Sequence, residues 1–220
     1  DRTSTLHQTS TQKARNRAKG EKVMAGVGLE SQLVDQRDIQ RRGGKCCRYP
    51  VSCLIHDMLM ELGLQPEKLV VLDVTYGVGR FYGAWYPRLL IGSDVKIWKW
   101  EIVPDVFILQ PSWNVWWTVA KLGVKPDLVV VDPPWTNYNH RGRTYYEYSF
   151  GSPDQILKGG LESAAKLGSN HVLVHYNKIV VPRNWSLLRQ VEFIYVSRYL
   201  KNNQINTNPN KTYFYILKKG

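Results

Sequence analysis

The sequence predicts an α/β chain built on a doubly wound, largely parallel seven-stranded sheet that ends in an antiparallel hairpin, and three observations lead there. Short apolar runs recur along the chain with helix-sized segments between several of them. Two of these runs, Leu69-Val-Val-Leu and Leu128-Val-Val-Val, are continuously apolar, as strands covered on both faces require. The last two runs are joined by Lys201 to Lys211, too short a link for a crossover helix, so they pair antiparallel.

Each element follows in order. Residues 1–44 read as a basic arm. Its first twenty residues are rich in Ser, Thr, Gln, Lys and Arg and lack apolar periodicity, so they are expected to be mobile. The spacing of Val23, Val27, Leu33, Val34 and Ile39 admits a short helix. Residues 45–220 are expected to form one folded domain. Between Val51 and Leu64, Leu54, Ile55, Met58, Leu59 and Leu62 recur every three or four positions, which predicts an amphipathic helix ended by Gly63 and Pro66. Strands are then expected at Lys68 to Asp73, Leu89 to Ile91, Val106 to Leu109, Leu128 to Val131, His171 to His175, Phe193 to Val196 and Tyr213 to Leu217. No internal repeat is present.

Composition narrows the function. The chain has 220 residues, enough for one well-buried α/β domain, and a formal net charge of +12. Half of that excess lies in residues 1–48. Such a charge favours a polyanion, with nucleic acid, DNA or RNA, as the default partner. Cys46, Cys47 and Cys53 cannot all pair and suit a reducing compartment. Together with His56 they lack metal-site spacing, so no metal is expected. No apolar run reaches the ~18 residues that span a bilayer, so a soluble intracellular protein, cytoplasmic or nuclear, is expected, with no membrane partner. The chain opens on Asp1 rather than Met, which leaves room for a segment upstream.

Two motifs carry the chemistry. In Val71-Leu-Asp73-Val-Thr75-Tyr76-Gly77-Val-Gly79, an acid ends a strand and two glycines follow where the chain must turn tightly into a helix and let a ligand approach. About twenty residues on, Asp94 ends the next strand, the position that holds ribose hydroxyls in Rossmann-type sites. Tyr82 replaces the third glycine of the dinucleotide fingerprint, which argues against NAD. The second motif, Asp132-Pro133-Pro134-Trp135, follows Val129-Val-Val at the carboxyl end of the fourth strand.

This second motif resembles the Asp-Pro-Pro-Trp signature of S-adenosylmethionine-dependent amino-methyltransferases that modify adenine N6, and the resemblance extends over most of residues 45–217. It implies a class I, Rossmann-like methyltransferase fold with S-adenosyl-L-methionine as cofactor. An exocyclic amine is a poor nucleophile because its lone pair is delocalised. Acceptors at the Asp132 carboxylate and the Pro133 carbonyl would localise and aim that pair, Pro133 and Pro134 would fix the backbone, and Trp135 would stack the extruded base. Arg48-Tyr49-Pro50-Val51 looks like the family's first motif, which would place Tyr49 and Pro50 beside the methionine end of the cofactor. Asp73, Thr75, Tyr76, Gly77, Gly79 and Asp94 would hold the rest. The third-strand contact falls at Gln110 or Asp105, with Gln110 preferred.

The motif order, cofactor loop first, matches the unpermuted DNA and ribosomal-RNA enzymes. In the residues after Trp135 the expected strands leave no separate recognition domain to be anticipated. Recognition is then expected from the arm, a partner subunit or two loops. The first carries His140, Arg141, Arg143, Tyr145 and Tyr146 for phosphate contacts and stacking; the second, Arg198 to Lys211, offers amides for base edges. Trp98, Trp100, Trp113, Trp116 and Trp117 read as core or as a homo- or hetero-oligomer contact, and His171 and His175 as structural. Alternatives at this stage are a cytosine N4 methyltransferase, a protein glutamine methyltransferase, and a non-catalytic nucleic-acid-binding subunit of the same fold.

Overall fold

The structure is a computed structural model, and it describes residues 32–35, 49–133, 151–201 and 204–220, with residues 32–35 and 195–210 described by their backbone alone. The arm before residue 32, Cys46, Cys47 and the segment 134–150 lie outside the described residues.

All seven expected strands are present: β2 (Val70–Asp73), β3 (Leu89–Asp94), β4 (Val106–Leu109), β5 (Leu128–Val131), β6 (His171–Tyr176), β7 (Trp185–Lys201) and β8 (Gln204–Lys219). An eighth, β1 (Gln32–Asp35), lies within the segment read as the arm and pairs in parallel with Val191–Ile194 of β7. Its Gln-Leu-Val-Asp is thus strand, not part of a short helix. The apolar spacing there was too irregular to bury one helical face, whereas the outer edge of β7 offers a complete set of backbone partners.

The sheet order is β1-β7-β8-β6-β5-β2-β3-β4. Pairs from β2 to β6 are parallel and β8 is antiparallel to both neighbours. This is the class I, Rossmann-like methyltransferase arrangement with one strand added at the hairpin edge. The chain winds from β2 to β4 in one direction and then returns through β5 and β6 in the other. The order therefore reverses between β2 and β5, where sheets of this kind leave a crevice at their carboxyl ends.

Both sheet faces are covered. Helix α1 (Pro50–Glu61) starts on a proline that needs no amide partner and stops before Gly63, whose φ of 72° suits glycine. It buries Leu54, Ile55, Met58 and Leu59 against Val71, Leu90, Leu128, Val130 and Leu173. Each such side chain contributes about 1.5–3 kcal/mol through lost apolar exposure. On the opposite face α2 (Val115–Lys121) and α3 (Pro153–Leu167) cover Leu72, Ile91, Val129, Val131, Val172 and Val174. Consecutive residues of β2 and β5 thus enter opposite cores, which explains their unbroken apolar character.

Two crossovers are leaner than the sequence suggests. The glycine loop turns into a single 3₁₀ turn, Arg80–Tyr82, rather than a helix, and β3 begins at Leu89. Tyr82 is buried there, and α1 already occupies the adjoining sheet face. Between β3 and β4 no helix forms either.

The segment Arg198 to Lys211, expected as a loop, is strand on both sides of residues 202–203, paired from Tyr195↔Asn210 to Lys201↔Gln204. Ladder hydrogen bonds are made by the backbone, so a polar hairpin needs no apolar run and escapes a search for one. Beyond Ile194 neither β1 nor β6 accompanies it. Since β7 runs parallel to β6, this ribbon leaves the sheet at the carboxyl end, projecting roughly 20 Å at ~3.3 Å per residue. Among the described residues no helix is long and apolar enough to cross a membrane.

Candidate active site

Four neighbouring strands, β6-β5-β2-β3, deliver chemistry-bearing side chains to one end of the sheet: His175, Asp132, Asp73 and Asp94. The glycine loop and the Asp132 segment meet across the crevice, because the Asp132 amide donates to Thr75 Oγ1 at 2.7 Å. Thr75 in turn donates its hydroxyl to Asp73 Oδ1 at 3.3 Å and its amide to the same oxygen at 2.9 Å. Tyr82 donates to Asp73 Oδ2 at 2.9 Å. Asp73 is therefore a buried anchor beneath the loop, 3% exposed. Burial drives its carboxyl up from the ordinary 3.8 to about 7; repulsion from Asp132 and Asp94 adds to this, and the bonds from Thr75 and Tyr82 oppose it. The absent third glycine is explained, since Tyr82 serves Asp73 rather than a ligand.

Tyr76 is likewise interior. It is 4% exposed, stacks on Tyr82 at 5.7 Å and donates to the Ile102 carbonyl at 2.9 Å. Its ring explains Gly79: a Cβ there would lie 2.6 Å from the Tyr76 hydroxyl, and the residue's φ is 84°. Gly77, at φ 55°, has among the described residues only the Thr75 carbonyl within 4 Å of such a Cβ, at 3.9 Å, and so leaves room beside Asp94. Asp94 Oδ2 accepts the Gly77 amide at 3.0 Å and the Trp98 indole at 3.1 Å, while Oδ1 accepts the Val95 amide at 2.7 Å. Burial raises the Asp94 carboxyl, against these hydrogen bonds.

Tyr49 and Pro50 join Val51, Arg80, Phe81 and Glu101 around an open pocket of about 570 Å³. Tyr49 donates to Glu101 Oε2 at 2.8 Å, and Arg80 holds Oε1 at 2.6 Å. The Tyr49 ring sits so close over Gly83 that no Cβ fits. Gln110 lies just past the carboxyl end of β4, where its backbone carbonyl accepts from Ser93 at 2.8 Å and its side chain accepts from Thr118 at 2.9 Å. Asp105 stands at the other end of β4, accepting the Leu90 amide at 2.7 Å, and so lies away from the site. Pro133 is buried directly after Asp132. Pro134, Trp135, His140, Arg141, Arg143, Tyr145 and Tyr146 fall outside the described residues. The tryptophans do not form one cluster: Trp98 serves Asp94, Trp100 packs on Phe107 at 5.0 Å, and Trp117 is 52% exposed beneath Lys121.

Sequence reasoning missed His175. Read as structural, it points at the centre of the site, with Nδ1 2.8 Å from Asp132 Oδ1 and Nε2 2.7 Å from Thr212 Oγ1. Its ring lies flat on Phe214 at 4.2 Å, with Phe81 at its edge at 5.9 Å. The signal available was positional: a histidine near the end of the strand predicted to neighbour the Asp132 strand.

No protein-family model matches the chain, and no curated protein is similar to it in sequence. Among solved structures, protein 1320 of Thermoplasma acidophilum is similar with a TM-score of 0.50 at 10% identity, over 84% of this chain and 97% of that one. Magnesium protoporphyrin IX methyltransferase of Synechocystis, solved with S-adenosylmethionine bound, has a TM-score of 0.43 at 13% identity, over 79% and 80% of the two chains. An S-adenosylmethionine-dependent methyltransferase of Agrobacterium tumefaciens has 0.44 at 12% identity, over 78% and 62%. These likenesses are of fold alone.

Proposed function

We propose that the chain is an S-adenosylmethionine-dependent methyltransferase acting on the exocyclic amino group of a nucleobase, with adenine N6 in DNA or RNA as its target. The observation that carries this is the position of Asp132-Pro133 at the switch point of the sheet, joined to the glycine loop through Thr75.

The residues present fit the cofactor. The pocket beside Tyr49, Pro50 and Phe81 has a volume within the ~300–1,000 Å³ range of small-molecule sites. The open backbone at Gly77 adjoins the Asp94 carboxylate. When bound, S-adenosylmethionine supplies an electrophilic methyl group on a sulfonium. The chain's own part is to orient and to accept. Asp132 is partly exposed, its side chain 32% accessible, and among the described residues no donor reaches Oδ2. That oxygen and the Pro133 carbonyl are the acceptors for the two amine hydrogens, and they aim the nitrogen lone pair for in-line displacement. Trp135 stacks the base once it has left its helix. The basic chain and the ribbon carrying Arg198 and Lys201 favour a polyanionic substrate.

The test is incubation with methyl-labelled cofactor and separate DNA, RNA and protein pools. Label in nucleic acid supports the reading. Label confined to protein overturns it in favour of side-chain methylation, and absence of both cofactor binding and label overturns it in favour of a nucleic-acid-binding scaffold.

A further inference from the structure

His175 has no part in the signature, yet its geometry is that of a side chain built to hold another. A carboxylate only accepts hydrogen bonds, so the 2.8 Å contact to Asp132 Oδ1 requires the hydrogen on Nδ1. In the neutral ring Nε2 is then an acceptor, and the hydroxyl of Thr212, 1% exposed, stands 2.7 Å from it. Donation runs in one direction, from Thr212 to His175 to Asp132. Phe214, stacked on the imidazole within 4° of parallel, and Phe81 at its edge prevent the ring from turning out of this line. Its side chain is 13% exposed against 32% for Asp132. The support is therefore interior, and the carboxylate is the member that meets solvent.

We infer that His175, backed by Thr212, is the positioning residue of the Asp132 carboxylate. It ties Oδ1 and leaves Oδ2 as the carboxylate oxygen presented, beside the Pro133 carbonyl, to the substrate amine. This rests on the reading of Asp132 given above. The nitrogen lone pair forms the N–C bond as the sulfonium takes up the C–S bonding pair. The nitrogen, now cationic, gives one proton to Oδ2, and solvent takes it from there. With Oδ1 held, Oδ2 has one orientation in which to receive that proton. Without the imidazole the carboxylate is free to rotate, and a misplacement of about 1 Å costs up to ~100-fold in rate.

The experiment compares His175→Ala, His175→Asn and Thr212→Val in the full chain, with circular dichroism and cofactor binding as checks on folding. His175→Ala is expected to lower kcat about 10- to 100-fold with KM for the cofactor within about twofold of wild type. His175→Asn keeps an N–H close to Nδ1 and is expected to recover most of that loss; Thr212→Val, which leaves the Nδ1 bond intact, is expected to cost only a few-fold. Nitrogen NMR of labelled histidine provides a readout independent of turnover. The hydrogen is expected on Nδ1 in wild type, and its resonance shifts in Asp132→Ala. A His175→Ala enzyme with wild-type kcat beside an inactive Asp132→Ala enzyme would overturn this inference and leave the function standing. An active Asp132→Ala enzyme would overturn the function itself. A hydrogen found on Nε2 instead overturns the positioning role whatever the activity.

Discussion

Replacing Asp73 with Asn should flatten the pH dependence of stability, and the structure gives the sign and the size. Asp73 is buried, and its two oxygens accept from the Thr75 amide, the Thr75 hydroxyl and the Tyr82 hydroxyl. Burial, with Asp132 and Asp94 nearby, raises its carboxyl from 3.8 to about 7. The native state therefore binds this proton more tightly than the unfolded chain does. The contribution of the protonated acid to stability is complete below about pH 4 and is lost as pH rises through about 7, a total on the order of 4 kcal/mol. Asn carries no charge at any pH and still offers an oxygen to Thr75, though Tyr82 loses its acceptor, at a cost of about 1 kcal/mol. Urea denaturation of wild type and Asp73→Asn at pH 5 and pH 8 measures the effect. Between these two values wild type should lose stability relative to the variant, so that Asp73→Asn is the more stable protein at pH 8. Parallel pH dependences, or a wild type that gains on the variant as pH rises, would refute the reasoning.

Other expected outcomes concern the support of the Asp132 strand. A Cβ on Gly160 of α3 would stand 2.7 Å from Val131 Cγ2 and 2.9 Å from Cγ1, so Gly160→Ala should destabilise by about 1–2 kcal/mol despite the better helix propensity of Ala, measured by urea midpoint. Ser152 caps α3 in a reciprocal capping box with Gln155, and Ser152→Ala should cost about 1 kcal/mol and lower Tm by several degrees in calorimetry.

The parts of the fold that the sequence made legible are those governed by burial on both faces. Leu69-Val-Val-Leu and Leu128-Val-Val-Val announce β2 and β5 because all are buried, with Leu69, Val71, Leu128 and Val130 in one core and Leu72, Val129 and Val131 in the other, and the spacing of Leu54, Ile55, Met58 and Leu59 announces α1 for the same reason. What escaped notice depends on pairing rather than burial. β1 exists because the edge of β7 was open to it, and the polar halves of β7 and β8 exist because each satisfies the other's backbone. At the site, the order of motifs sets Asp132 and the glycine loop on neighbouring strand ends, where the Asp132 amide meets Thr75. The roles within the loop were less readable: Asp73, Thr75 and Tyr76 turn inward, because a short 3₁₀ turn in place of a helix lets Tyr82 reach Asp73. His175 was obscured because a lone histidine on an apolar strand has no local signature; only the adjacency of β5 and β6 gives it one.

The central claim is that Asp132 orients an exocyclic amine for methyl transfer, and nucleoside mass spectrometry tests it most directly. Nucleic acid incubated with S-adenosylmethionine and either wild type or Asp132→Ala is digested to nucleosides, with cofactor affinity of both proteins measured by calorimetry. The account predicts N6-methyladenine nucleoside from wild type and none from Asp132→Ala, with cofactor affinity within a few-fold of wild type. Methylated nucleoside from Asp132→Ala at a rate comparable to wild type, or a wild-type product methylated anywhere other than an exocyclic amine, would contradict it.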